Sequence, residues 1–313
     1  GAAFEKRTHR EYLYPGYASH ILGQLGKIPA ESWQEYKEQG YNMDDTVGIS
    51  GCEKAFEEYL RGEDGVRVVV EDKNGNIIDS YVEKEAVAGN DVYLTIDIDL
   101  QIAAEDALAQ NVALISDAQA GALSAVDPST GEVLVLASYP SYDLTTYNEN
   151  YNALVSDKAR PLYNRVLNGL YTPGSTFKVG MVAAGISSGA LNSSTIIRCD
   201  GIYTYYDDYH PKCWYYPNKH GNVNAAYSLE VSCNCYFYEL GRIMGIDVMN
   251  DYCRSYGLGE STGIELPEST GILAGPLYRE ENGLSGWTEG NTIQAAIGQS
   301  DNMFSPLQIA NYI

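Results

Sequence analysis

The sequence has no long apolar run and few basic residues. No stretch approaches the ~18 consecutive apolar residues that a membrane-spanning helix needs, so we expect no transmembrane segment within it. Lysine and arginine total 20 against 42 acidic residues, a net charge of −22. Such a chain repels polyanions, so nucleic acid and anionic lipid are excluded as expected partners. Phenylalanine (5) and tryptophan (3) are scarce beside 27 tyrosines, whose rings pack while offering a hydroxyl to polar ligands.

Length and composition predict two folded domains. The chain has 313 residues, 44% of them hydrophobic, and domains average roughly 100–200 residues. Residues 1–90 are polar and rich in turns, and we interpret them as a support or interaction module. Predicted elements there are helices over 31–38 and 51–60 and a hairpin of strands 66–70 and 77–82.

Residues 91–313 are more apolar and predict α/β layers with an antiparallel sheet flanked by helices. The predicted elements are a strand at 92–96, a helix capped by Asp97, a hairpin of strands 121–126 and 132–137, a polar loop over 139–160, a helix after Lys178, an irregular segment over 190–225, a helix over 222–231 that breaks at 232–234 and resumes, and helices after Trp287.

The stretch Tyr171-Thr-Pro-Gly-Ser175-Thr-Phe-Lys178 carries the first chemical signal. A serine after Pro-Gly at the head of an apolar run predicts the first turn of a helix. Positions i and i+3 share a helix face, so the Lys178 amine can reach the Ser175 hydroxyl. A serine is a poor nucleophile until a base takes its proton, and burial can lower the pKa of a lysine enough for that role.

A second signal follows at Ser232-Cys-Asn234, which places a hydroxyl and a carboxamide at a predicted helix break. Ser-x-x-Lys, Ser-Asp-Asn and Lys-Thr-Gly form the catalytic set of penicillin-binding proteins and class A β-lactamases. Standing alone, Ser232-Cys-Asn234 is far more typical of ordinary capping between helices.

Further segments match class B penicillin-binding proteins in order, and the chain resembles their elongation-type branch over nearly its whole length. The segments are Tyr14-Pro15, 18–23, 48–53, 60–62, 127–143, Asn164-Arg165, 173–178, 232–238, 262–267 and 297–299. The resemblance implies the α+β fold shared by transpeptidases and serine β-lactamases, with a smaller β-rich pedestal (residues 1–90) before a transpeptidase part (residues 91–313).

By this resemblance the protein is a DD-transpeptidase. Ser175 would attack the D-Ala-D-Ala carbonyl of a peptidoglycan stem peptide, and Lys178 would take its proton. Ser232 would relay a proton to the leaving D-Ala, while Asn234 would hold Lys178 and the substrate amide. The Ser175 amide would form half of an oxyanion hole. β-Lactams would acylate the same serine, and an amine of a neighbouring stem would accept the acyl group.

The resemblance also implies partners and a location. Elongation-type members pair with a membrane-embedded glycan polymerase, so we expect a single membrane anchor before residue 1 and a catalytic domain outside the cell. Both chain ends are interpreted as boundaries within a longer protein. The Lys-Thr-Gly motif is absent before Ile313, so this stretch by itself is expected to be a weak or inactive catalyst. Alternatives are a DD-carboxypeptidase or β-lactamase, a non-catalytic scaffold, and a zinc hydrolase.

The cysteines pose a separate question. Some elongation-type members bind zinc through Asp, Asp, His and Cys, and alignment on His220-Gly221 places these ligands at Cys199, Cys213, His220 and Cys233. Three thiolates and an imidazole would make a closed, structural zinc site. Reduced thiols or a Cys199–Cys213 disulfide remain alternatives. Cys235 or Asp200 is an alternative to one of these ligands, and Cys52 and Cys253 are expected to be lone buried thiols.

Overall fold

The structure, a computed structural model, describes residues 10–192 and 194–313. The described part of the pedestal consists of short helices and two antiparallel strand pairs, β1–β2 and β3–β4. Its elements are α1 (Ser19–Leu22), β1 (Leu25–Lys27), α2 (Trp33–Glu38), β2 (Thr46–Gly48), α3 (Gly51–Ala55), α4 (Glu57–Leu60), β3 (Val66–Glu71) and β4 (Ile77–Lys84).

The predicted pedestal elements are confirmed. The helix expected over 31–38 is α2 preceded by a 3₁₀ turn over Ala30–Ser32, and the helix over 51–60 is divided at Phe56 into α3 and α4. The hairpin turns where Asp72 Oδ1 accepts hydrogen bonds from the amides of Asn74 and Asn76, at 2.7 and 2.9 Å. Such an Asx turn is a side-chain mimic of a backbone turn.

The transpeptidase part is mainly helical around a two-stranded antiparallel sheet. In that sheet Gly121 faces Tyr139 and Val126 faces Val133. The elements are α5 (Ile98–Leu114), β5 (Gly121–Val126), β6 (Val133–Tyr139), α6 (Tyr147–Ser156), α7 (Arg165–Asn168), α8 (Lys178–Ser187), β7 (Ile197–Cys199), β8 (Gly221–Val223), α9 (Ala225–Glu230), α10 (Asn234–Ser255), α11 (Pro276–Glu281), α12 (Glu289–Ala295) and α13 (Pro306–Tyr312).

Helices flank the β5–β6 sheet as predicted, because both strands are apolar on both faces. Helices α5, α7 and α13 pack against it. Asp97 caps α5 as expected, with its carboxylate accepting from the amides of Asp99 and Leu100 at 3.0 Å each.

Two local predictions are wrong, and a third has the wrong start: the helix expected over 222–231 begins at Ala225, because residues 221–223 pair with residues 197–199 as β8. Residues 92–96 do not form a strand. Thr95 Oγ1 donates to Val133 O at 2.6 Å and, just beyond the segment, Asp97 N donates to Leu134 O at 3.1 Å. These isolated bonds do not make a strand ladder. The polar loop expected over 139–160 contains α6, a helix without any fully buried residue. Its sequence therefore lacks the apolar periodicity that reveals a helix.

The main core lies between α8, α10 and α12. Its fully buried side chains include Met181, Tyr236, Leu240 and Ile293. The segment around 197–223 rests on this core through the short β7–β8 pair, with Cys199 opposite Gly221. The core therefore supports both segments that carry the candidate site.

The pedestal joins the transpeptidase part through α1 and α3. Ala18, Ile21 and Cys52 share one apolar cluster with Leu136 and Val166. The two parts are thus packed together at their junction. Among the described residues, no helix combines the length and apolar character needed to cross a membrane.

Candidate active site and adjacent metal-ligand cluster

Ser175 lies in a tight turn at the start of α8. The turn is a 3₁₀ helix over Gly174–Phe177 that runs directly into α8 at Lys178. Ser175 is exposed, whereas Lys178 is only 1% exposed. The predicted i,i+3 arrangement therefore places an accessible hydroxyl above a buried amine.

Gly298 holds this turn against the loop that precedes α13. The Gly174 amide donates to Gly298 O at 2.9 Å. Gly298 has φ +73°, and a Cβ there would lie 2.1 Å from Gly174 O. Only glycine allows this approach with this backbone conformation. The segment Ile297-Gly-Gln299 therefore has a direct physical role beside the serine.

The second motif forms the break between α9 and α10. Ser232 has φ +49°, an uncommon conformation for a residue with a side chain. Cys233 precedes the first turn of α10, its amide donating to Ser228 O at 3.0 Å, and Asn234 begins the helix. This geometry turns Ser232 and Asn234 toward Lys178.

A continuous hydrogen-bond chain joins the four candidate catalytic residues. Lys178 Nζ lies 2.7 Å from Asn234 Oδ1, 3.0 Å from Ser232 O and 3.0 Å from Ser232 Oγ. Ser232 Oγ in turn donates to Ser175 Oγ at 2.8 Å. In the described part of the chain, Lys178 and Ser175 share no direct hydrogen bond. Ser175 is therefore connected to Lys178 through Ser232, a path that i,i+3 spacing does not predict.

Burial lowers the pKa of Lys178, which favours a role as a base. Loss of solvation lowers the pKa of Lys178 from 10.5 to about 8, while the nearby thiols of Cys213 and Cys233 act in the opposite direction. The lower pKa increases the fraction of the amine that is neutral and able to accept a proton.

A cavity of about 380 Å³ opens above Ser175. It is large enough for a peptide terminus or a small bicyclic ligand. Its walls are Gly174, Ser175, Trp214, Ser232, Asn234, Ile297 and Gln299.

Beside this cavity, Cys199, Cys213, His220 and Cys233 converge. Their ligand atoms all lie within 4.8 Å of one another. His220 Nδ1 is 3.6 Å from the sulfurs of both Cys199 and Cys213. A tetrahedral zinc with Zn–S of about 2.3 Å and Zn–N of about 2.0 Å requires a sulfur–nitrogen separation of about 3.5 Å. The donor set and its spacing therefore fit a four-coordinate zinc.

The structure bears on the disulfide alternative and on the two substitute ligands, Asp200 and Cys235. All six cysteines are free thiols, so no Cys199–Cys213 disulfide is present. Asp200 is exposed and pairs with Arg198 at 2.8 Å, away from the cluster. Cys235 is buried next to Cys213, and the Cys233 and Cys235 groups lower the pKa of the Cys213 thiol through hydrogen bonds. Cys235 therefore borders the cluster but is not one of the four residues whose ligand atoms converge.

Comparison with known proteins identifies the family. Residues 121–313 match the penicillin-binding protein transpeptidase domain, and residues 1–94 match the penicillin-binding protein dimerisation domain. The chain belongs to the penicillin-binding protein transpeptidase family. The boundary predicted between residues 90 and 91 stays a prediction.

Curated relatives agree. The chain is 34% identical to the peptidoglycan D,D-transpeptidase MrdA of Acinetobacter baumannii, over 99% of this chain and 46% of that protein. It is 30% identical to MrdA of Escherichia coli K12, over 99% of this chain and 49% of that protein. The chain thus spans about half the length of the curated relatives that it matches.

Solved structures show the same fold. Penicillin-binding protein 2 of Pseudomonas aeruginosa, in complex with WCK 5153, matches with a TM-score of 0.82 at 28% identity, over 96% of this chain and 62% of that one. The Helicobacter pylori protein in complex with MreC matches with 0.81 at 28% identity, over 94% and 54%. The predicted fold, a penicillin-binding protein transpeptidase fold with an N-terminal pedestal, is confirmed.

Sequence reasoning gave no role to Trp214, although this residue forms one wall of the cavity. The only sequence signal was its position directly after Cys213, in a segment crowded with aromatic and ligand-type residues. That signal does not reveal which way the ring points.

Proposed function

We propose that this protein is a peptidoglycan DD-transpeptidase that cross-links stem peptides through an acyl-enzyme on Ser175. The hydrogen-bond chain from Ser175 through Ser232 to Lys178, ending in an amine with a lowered pKa, carries the proposal. The same chain accounts for reaction with β-lactams, whose strained amide occupies the place of the peptide bond.

In the first step Ser175 Oγ attacks the carbonyl carbon of the penultimate D-Ala. Its proton passes to Ser232 Oγ as the Ser232 proton passes to neutral Lys178 Nζ. The bond between carbonyl carbon and nitrogen then breaks, and the terminal D-Ala leaves after its nitrogen accepts a proton back through Ser232. Backbone amides at the start of the 3₁₀ turn lack helical partners, which suits the Ser175 amide to the developing oxyanion.

In the second step an amine of a neighbouring stem attacks the acyl-enzyme ester. The amine loses a proton to the Ser232–Lys178 pair, a new amide bond forms, and Ser175 recovers its hydrogen. Asn234 holds Lys178 at 2.7 Å through its carbonyl oxygen. Its amide nitrogen remains to hold the substrate backbone.

Fluorescent penicillin labelling of the full-length protein tests the nucleophile. We expect stoichiometric labelling of the wild type and no labelling of Ser175→Ala. Thr176→Ala is the matched control, because its exposed hydroxyl is one residue away and bonds only to Pro173 O. Equal labelling of the wild type and Ser175→Ala would refute the assignment.

We further propose that Cys199, Cys213, His220 and Cys233 hold one structural zinc. When bound, the ion would supply a rigid tetrahedral link without an open position for a reactive water. Cys233 lies between Ser232 and Asn234, so its anchoring would fix the second motif. We expect one equivalent of zinc in the purified protein, its loss in Cys213→Ser, and a lower melting temperature with chelator. Cys253→Ser, a buried thiol outside the cluster, is the control. Sub-stoichiometric zinc with chelator-insensitive melting would contradict the proposal.

The family relationship also supports a partner and a location. One similar structure, 33% identical, is described as a peptidoglycan synthase complex that coordinates polymerization and crosslinking. We propose that this protein is membrane-anchored, acts outside the cell and associates with a membrane glycan polymerase. Affinity purification of the tagged full-length protein from solubilised membranes should recover such a polymerase. Its consistent absence would count against this part of the proposal.

A further inference from the structure

The indole of Trp214 is an exposed aromatic surface beside the nucleophile. The side chain is 60% exposed although tryptophan is usually well buried. It shares the cavity wall with Ser175 and Ser232. The acyl-transfer steps use hydroxyl, amine and amide groups, so they leave this ring without a role.

The ring is held in place despite its exposure. Its Nε1–H donates to Val231 O at 3.0 Å, directly before Ser232. Its centroid lies 5.4 Å from the ring of Tyr215 and 5.8 Å from that of His220. Because the only polar atom of the indole already has a partner, the uncovered surface toward the cavity is apolar and oriented in advance.

The other walls contribute little apolar surface. Ser175, Ser232, Asn234 and Gln299 present hydroxyl and carboxamide groups, and Ile297 is almost completely buried. None of the residues that line the cavity carries a formal charge. Apolar recognition within this cavity therefore depends mainly on Trp214.

We propose that Trp214 is a specificity-determining residue that packs its ring face against an apolar group of the acyl donor, next to the carbonyl that Ser175 attacks. The inference rests on the proposed function, because it assigns a substrate contact at the same site. Ligands with such a group gain a contact that is absent for ligands with only the reacting core.

Two penicillins separate the ring contact from the chemistry. Benzylpenicillin carries a phenylacetyl side chain, whereas the bare penicillin nucleus carries a free amine at that position. We expect the full-length wild type to acylate faster with benzylpenicillin. Trp214→Gln removes the ring and retains an N–H donor for Val231 O. It should slow acylation by benzylpenicillin about tenfold, the scale of one lost aromatic contact plus buried area, and change the rate with the nucleus less than twofold.

Trp214→Phe makes the opposite change, because it keeps a ring and removes the N–H donor. We expect it to retain most of the preference for benzylpenicillin. Tyr93→Ala, which removes an exposed ring outside the cavity wall and outside the packing of Trp214, should leave the ratio of the two rates unchanged. Melting temperature and zinc content of each variant confirm that it is folded.

The outcomes are distinct. If Trp214→Gln slows both penicillins equally, or neither, Trp214 is not a specificity residue. If Trp214→Phe loses the preference while Trp214→Gln keeps it, the Val231 hydrogen bond is what matters and the inference is overturned. If neither penicillin acylates the wild type, the proposed function fails and this inference fails with it.

Discussion

In the transpeptidase part, α8, α10 and α12 enclose fully buried side chains, whereas the β3–β4 hairpin of the pedestal is exposed along nearly its whole length. The candidate catalytic residues lie on the helices of this buried core. Lys178 and Asn234 start helices whose remaining turns are packed in the core, so their side chains are held in one geometry. The densest packing in this protein therefore lies beneath the residues that we propose transfer protons.

The junction between these regions combines polar contacts with a small apolar cluster. Ser19 Oγ donates to Tyr142 O at 2.5 Å, and the Ala18 amide donates to Glu105 Oε1 at 2.8 Å. His20 Nε2 lies 2.6 Å from Pro161 O. Polar contacts from α1 and its N-terminal flank therefore align the pedestal on the transpeptidase part, while the shared apolar cluster supplies burial.

The largest effect is expected from Lys178→Arg. An arginine stays protonated and cannot accept a proton. We expect the acylation rate of the full-length protein to fall about 10³-fold, within the range for loss of a general base. Stopped-flow measurement with a fluorescent penicillin checks this. Lys158→Arg, an exposed position, is the control, and a loss of less than tenfold at Lys178 would show that the buried amine is not the base.

The next effect concerns Gly298. An added Cβ would clash with Gly174 O, so Gly298→Ala should destabilise the protein by about 3 kcal/mol or more and slow acylation, because the Ser175 turn must move. Gly263→Ala is the matched control, because Gly263 also has a positive φ, +83°, but nothing lies within 4 Å of its Cβ position. It should cost only about 1 kcal/mol. Denaturant unfolding measures both variants. Equal losses of unfolding free energy in Gly298→Ala and Gly263→Ala would contradict the role assigned to the close approach of Gly298 to Gly174.

A smaller, pH-dependent effect is expected at the junction. Burial lowers the pKa of His20 from 6.5 to about 4, Arg165 adds to the decrease, and the hydrogen bond with Pro161 opposes it. Between these pH values the unfolded chain binds a proton that the folded protein does not. Stability therefore falls as pH decreases from about 6.5 to 4, by at most about 3 kcal/mol.

Melting temperatures across this range should decrease less steeply for His20→Gln, which retains a donor for Pro161 O. His210→Gln, at an exposed histidine, should follow the wild type. If the melting temperature of His20→Gln decreases with pH as steeply as that of the wild type, other groups cause the acid sensitivity.

The smallest effect is expected in the hairpin. Ile78 is 66% exposed, so Ile78→Ala should change the free energy of unfolding by less than about 0.5 kcal/mol. The same truncation at fully buried Ile293 provides the reference, with an expected loss of about 2–5 kcal/mol. Similar losses at the two positions would remove the contrast between the hairpin and the core.

Sequence patterns predicted most of the elements near the site. Alternating apolar residues and turn residues revealed both hairpins, and the Asp97 cap marked the start of α5. The failures have a common cause, since α6 has no fully buried residue and residues 92–96 have strand composition without a paired neighbour. Local composition cannot report either the lack of burial or the lack of a partner.

By itself, the sequence determined which chemical groups are available and their order: Ser175 and Lys178 one helical turn apart, Ser232 and Asn234 at a helix break, and the spaced Cys199, Cys213, His220 and Cys233. Only the tertiary structure decided how they meet. It placed Ser232 between Ser175 and Lys178, 57 residues along the chain from Ser175. It also lowered the pKa of Lys178 by burial, brought four ligand atoms together, and turned Trp214 toward the cavity. These properties depend on distances and solvent exclusion between remote segments, which local sequence patterns do not contain.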